Sequence, residues 1–182
     1  MRHGSRASMH EPRRFGIVMR ALRVRVEAAR REPPVTRYEE PGDMIAAYFS
    51  VPALCAIALV HVYWACGGRR GKRAAIPEHD GVPLLHPSRA GTCTIAGALL
   101  AAAYVVAARA GWVVLPGRYT SAIGIAIVVL ALMFAVRAVG DFRYVGFFKR
   151  IRGSRFARMD TLCYSPLCAA LALSIASMLW LR

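Results

Sequence analysis

RAVGDFRYVGFFKRIRGSRFARMDTLCYSPLC, residues 137–168, joins the end of one long apolar segment to the start of another. It holds Asp141 and Asp160, two of the ten acidic residues in the chain, and seven of its twenty-five basic ones. Its aromatic residues Phe142, Tyr144, Phe147, Phe148 and Phe156 alternate with Arg143, Lys149, Arg150, Arg152, Arg155 and Arg158. A segment of this kind is expected to lie in a membrane interface, with rings toward acyl chains and cations toward phosphates. Arg143, Lys149, Arg150 and Arg152 are therefore candidates for binding anionic lipid headgroups.

The flanking sequence explains why a membrane, and not a nucleic acid, is the expected partner. A net charge of +15 in a soluble chain would point to nucleic acid. Here the charges lie between apolar runs of about 20 residues, each long enough to cross the hydrocarbon layer. Four such spans are expected at about 44–66, 92–115, 119–139 and 163–181. The predicted fold is an all-α membrane protein, a four-helix transmembrane bundle with a basic aromatic interfacial connector. Gly67-Gly68 ends the first span, and Pro116-Gly117 turns between the second and third. Pro52 should kink span one, and Arg109 should snorkel outward from the end of span two. Ala103, Ala107 and Gly111 form a small-residue ridge at spacing four. Such ridges suit close helix packing within the bundle or against another chain, so a homo- or hetero-oligomer is one expectation.

Residues 1–43 form a basic arm with ten arginines. Phe15, Val18, Met19, Leu22, Val26 and Ala29 recur at helical spacing, as in a helix lying on a membrane surface. The alternatives are a disordered arm, or a misplaced start with the native one at Met19 or Met44. Cys55, Cys66, Cys93, Cys163 and Cys168 are odd in number and form no C-x-x-C pair, so no disulfide framework is indicated.

Four antiparallel spans place alternate connectors on alternate sides. His61, Tyr63, Trp64, His79, His86, Arg137, Asp141, Arg143, Asp160 and Tyr164 are thus expected around one polar mouth. The Lys/Arg bias of the two long connectors puts this mouth in the cytoplasm. Arg137 and Asp141, four apart, would pair on a continuing helix, and Asp160 would cap span four. The competing reading gives Asp141, Asp160 and His61 acid–base or cation-binding roles. A zinc site from His61, His79, His86, Cys66 and Cys93 lacks close paired-ligand spacing, so no metal and no cofactor is expected.

The box His61 to Gly68, the following Ala75-Ile76-Pro77 and above all residues 137–168 resemble the bacterial domain-of-unknown-function 3995 family of small four-span membrane proteins. Ser154 stands where that family's pattern has Thr. The resemblance implies a multi-pass protein of the bacterial inner membrane and brings no activity with it. Three functions stay open on the residues. The first is a non-enzymatic lipid- or partner-binding protein. The second is a small membrane-embedded enzyme acting on a lipid or isoprenoid headgroup, and the third an ion-coupled transporter. The transporter is disfavoured by the scarcity of polar residues in the middles of the spans.

Overall fold

The computed structural model describes residues 41–79 and 81–180. The expected amphipathic helix around Phe15–Ala29 lies outside them. The chain runs α1 (Pro41–Ala65), a single-turn α2 (Lys72–Ala75), a two-residue hairpin pairing Glu78–His79 with Val82–Pro83, and α3 (Arg89–Arg109). After a short 3₁₀ turn at Gly117–Tyr119 come α4 (Thr120–Val139), α5 (Arg155–Met159), a π turn at Asp160–Tyr164 and α6 (Ser165–Trp180). Four helical stretches, Gly42–Ala65, Arg89–Arg109, Gly117–Val139 and Arg155–Trp180, are long and apolar enough to cross a membrane. This is the all-α bundle predicted from the sequence, and the chain is a multi-pass membrane protein.

The helices pack as two tight pairs, α1 with α3 and α4 with α6. Contact between α1 and α6 joins the pairs, while α3 and α4 touch more sparingly. The core is formed by Leu54, Val106, Ile127, Leu171, Ile175 and Met178, with alanines between them. Ala102, Ala103 and Ala107 are buried where α3 meets its neighbours, so the expected ridge is partly realised. Gly111 is not part of it. The N–H groups of Gly111 and Trp112 donate to Ala108 and Ala107 carbonyls, and Gly111 has φ +82°. That is the capping pattern a left-handed glycine gives a helix end. Span two therefore stops at Arg109, short of the expected Leu115.

Gly67 and Gly68 end α1 by the same device, donating to Trp64 and Tyr63 carbonyls, with Gly67 at φ +99°. Gly68 also lies flat against the Tyr63 ring, where a Cβ would sit 2.4 Å from the ring carbons. At the start of α3, Ser88 accepts from the Gly91 N–H at 3.0 Å, the N-cap role of a hydroxyl residue.

Two polar contacts knit the end of the bundle where α1 begins. Asp43 and Arg109 form a buried ion pair, and Arg109 also donates to the Met178 carbonyl. Ser50 donates to Ser174 at 3.0 Å, which in turn donates to the Ala46 carbonyl at 3.2 Å. Arg109 thus does not snorkel outward. With 6% of its surface exposed, it ties α3 to α1 and α6.

Candidate functional site

The connector after α4 is a closed loop. Gly140 leaves the helix at φ +91°, and Gly146 returns at φ +89° directly against it. A Cβ on Gly140 would fall 1.7 Å from the Val145 oxygen, and one on Gly146 2.3 Å from the Val139 oxygen. Only glycine permits two strands of backbone to touch this closely. Across the base, Phe147 N–H donates to the Ala138 carbonyl at 2.9 Å and Asp141 N–H to Val145 at 3.2 Å. Inside the loop one oxygen of Asp141 accepts the N–H groups of Arg143, Tyr144 and Val145 at 2.9, 2.7 and 2.8 Å. Burial raises the Asp141 carboxyl, but these backbone donors together hold it below the usual carboxylate range. The arrangement also holds Phe142 at φ +60°, a conformation costly for a residue with a side chain.

Asp160 sits beneath the loop with no exposed surface. Its Oδ1 accepts from Arg137 Nη2 at 2.9 Å. Its Oδ2 accepts from Lys149 Nζ at 2.9 Å, Gly146 N–H at 2.8 Å and Ser165 Oγ at 3.1 Å. Lys149, 1% exposed, donates also to the Gly146 carbonyl at 2.8 Å. The π turn makes this possible. Pro166 has no N–H to give Leu162 and its ring crowds that carbonyl, so the helix widens by one residue. The widened turn brings the Ser165 hydroxyl round to Asp160.

These contacts correct four expectations. Arg137 does not pair with Asp141, because α4 ends at Val139 before the second residue could share its face. Asp160 does not cap the start of span four; Ser154 does, at the head of α5, accepting from Ala157 N–H at 3.0 Å, and a Ser in place of Thr keeps that role. Lys149 does not face headgroups, since Asp160 holds it in the interior. Span four begins at Arg155, earlier than the expected residue 163. Arg143, Arg150 and Arg152 remain exposed beside Phe142 and Phe148, whose rings lie 6.3 Å apart.

The first long connector folds against this loop. Glu78 accepts the Arg155 N–H at 3.1 Å, and the rings of His79 and Tyr144 meet edge-on at 6.1 Å. Both long connectors therefore occupy one end of the bundle, as the span count predicts. Trp64 donates to the Arg70 carbonyl at 2.9 Å, His61 Nδ1 bonds the Ile57 carbonyl at 2.8 Å, and the two rings touch. Tyr164 packs on Phe156, and His86 is exposed.

Among the described residues, two cavities at this end are relevant to ligand binding. One of about 350 Å³ is lined by Arg69, Lys72, Arg73 and Arg155 with Gly71, Ala74 and Ile76. None of the four cations has a carboxylate within ion-pairing distance among the described residues. The other, about 210 Å³, is lined by His61, Trp64, Lys72 and Thr92 together with apolar residues. Neither Asp141 nor Asp160 lines either cavity, so the structure does not bring them to His61. Among the described residues no three His, Cys, Asp or Glu side chains gather as metal ligands would. The cationic cluster was missed in the sequence because Arg69 to Arg73 read as orienting charge, and only folding brings Arg155 across to them.

A family model described as Protein of unknown function (DUF3995) matches residues 54–175. The chain belongs to this family. The region matched spans the DUF3995 resemblance from His61 to Cys168, including the loop, Asp160 and both cavities. No curated protein and no solved structure matches the chain.

Proposed function

We propose that this protein is a non-enzymatic membrane protein that binds an anionic lipid headgroup in the cleft formed by Arg69, Lys72, Arg73 and Arg155. The observation that carries the reading is the gathering of these four cations around one cavity, none of their side chains in an ion pair among the described residues, with Glu78 reaching only the Arg155 backbone. Like charges brought together repel unless an anion joins them, and arginine suits the planar, bidentate recognition of phosphate. Arg143, Arg150 and Arg152, on the exposed loop, act as a looser patch toward anionic lipid in general.

The enzyme reading has less support, since donors already engage both carboxylates. Asp141 is engaged by three backbone N–H groups and Asp160 by four donors. Native mass spectrometry tests the proposal on protein released from nanodiscs of equal phosphatidylglycerol and phosphatidylcholine. The wild type should retain phosphatidylglycerol preferentially. Arg69→Gln/Arg73→Gln/Arg155→Gln should lose that preference, each charge contributing about 1 kcal/mol. Retention unchanged in the triple variant would refute it.

A further inference from the structure

The two cavities share a wall. Lys72 and Ile76 line both, so a lysine belongs to the wall they share. The larger cavity is cationic. The smaller is apolar along Ile76, Pro77, Leu85, Pro87 and Ile95, and apart from Lys72 its side-chain donors are already engaged by backbone carbonyls. Trp64 Nε1–H points to the Arg70 carbonyl, and the Thr92 hydroxyl to the Ser88 carbonyl at 2.9 Å. His61 Nδ1 faces the Ile57 carbonyl, an acceptor, and donates to it at 2.8 Å.

A sugar or nucleoside in this space would set hydroxyls against these apolar walls, and any hydroxyl that lost water there without gaining a partner would be costly. Hydrocarbon meets no such cost and gains from leaving water.

We propose that the ligand is a phosphate-bearing amphiphile held at both ends. Its phosphate lies among Lys72, Arg69, Arg73 and Arg155, and the hydrocarbon next to it lies in the smaller cavity. This rests on the headgroup reading above and specifies the class of molecule. Lys72, common to both cavities, holds the phosphate at the junction. The smaller cavity lies between the last turn of α1 and the first turns of α3, both in membrane-spanning stretches, so the hydrocarbon keeps an apolar environment.

The test uses full-length protein in phosphatidylcholine nanodiscs and three probes: dihexanoyl phosphatidic acid, glycerol 3-phosphate and inorganic phosphate. Binding is followed by Trp fluorescence and by calorimetry. The wild type should bind the dihexanoyl probe at least roughly tenfold more tightly than glycerol 3-phosphate, the effect of burying about two methylenes. Ile95→Trp, filling the smaller cavity, should abolish that preference and leave glycerol 3-phosphate binding intact. Leu85→Trp repeats the test from the opposite wall, and both positions are at least half exposed, so the larger ring has room. Equal binding of the dihexanoyl probe and glycerol 3-phosphate by the wild type overturns the two-ended site, as does a preference that survives both tryptophans. Tighter binding of inorganic phosphate than of the dihexanoyl probe identifies the ligand as free phosphate and also overturns it. Arg73→Gln/Arg155→Gln should weaken all three probes. Should it weaken none, the headgroup reading fails, an outcome separate from failure of the apolar half.

Discussion

Replacing Asp160 by Asn removes one charge and almost no volume, and its consequences can be worked through atom by atom. Oδ2 takes three donors and Oδ1 takes Arg137. An asparagine carbonyl in the Oδ2 position keeps three hydrogen bonds but turns its NH₂ toward the guanidinium, donor against donor. The flipped amide does worse, facing three donors. In both cases Lys149 stays buried as an ammonium with no counter-charge. Breaking a buried ion pair by removing one partner costs about 3–5 kcal/mol. Arg137, about a third exposed, adds little, because solvent screens its half of the cluster. We expect Asp160→Asn to lower unfolding free energy by about 3 kcal/mol, measured by reversible denaturation in mixed micelles with Trp fluorescence as readout. Adding Lys149→Met should recover much of the loss, because the orphaned cation is gone and the site tolerates an apolar chain of similar length. A single variant within about 1 kcal/mol of wild type, or a double variant no better than the single, would refute the assignment of Asp160 and Lys149 as one electrostatic unit.

Other expectations concern the loop and the opposite end. Gly140→Ala, whose methyl would enter the Val145 carbonyl, should open the loop and raise protease sensitivity at Arg143, whereas Gly124→Ala, with nothing within 4 Å, should be neutral or slightly stabilising. Asp141 has a folded pKa below its ordinary 3.8, so its contribution is fully present above that value and is lost as pH falls through the folded pKa. Amides 143–145 should therefore keep their exchange protection from neutral pH down to about 5 and lose it in stronger acid, while Asp141→Asn shows no such step. Single cysteines at Val82 and Arg150, in an otherwise cysteine-free chain, should react with impermeant maleimide from the same side; labelling from opposite sides would contradict the shared end. Asp43→Ala, which leaves Arg109 buried without that partner, should cost about 3–5 kcal/mol in the same micelle assay.

The spans were legible because length and apolarity are properties of a sequence window, and the common end of the two connectors followed from counting them. Polar partners were not legible in this way. Arg137 and Asp141 obey the helical spacing rule, but Gly140 breaks the helix between them, and the rule holds only on a continuous one. Lys149 looked like its neighbours Arg150 and Arg152. What distinguishes it is the distance to Asp160 after the chain has turned back, and eleven positions of separation say nothing of that. Gly111 fitted a packing ridge by spacing, and its role as a helix stop depends on the sign of one torsion angle. Arg155 lies far from Arg69, Lys72 and Arg73 in sequence, and only the folded chain, where its backbone N–H donates to Glu78, sets it beside them.

The contact of Gly140 with Gly146 closes the loop at its base, and the tip beyond it keeps hold of both long connectors: the Ile151 N–H donates to the Arg143 carbonyl at 3.0 Å, Phe142 packs on Phe148, and Tyr144 meets His79. A substitution at Phe142, Arg143 or Tyr144 is therefore felt on both sides of the loop at once, and the loop serves as the clasp between the two connectors.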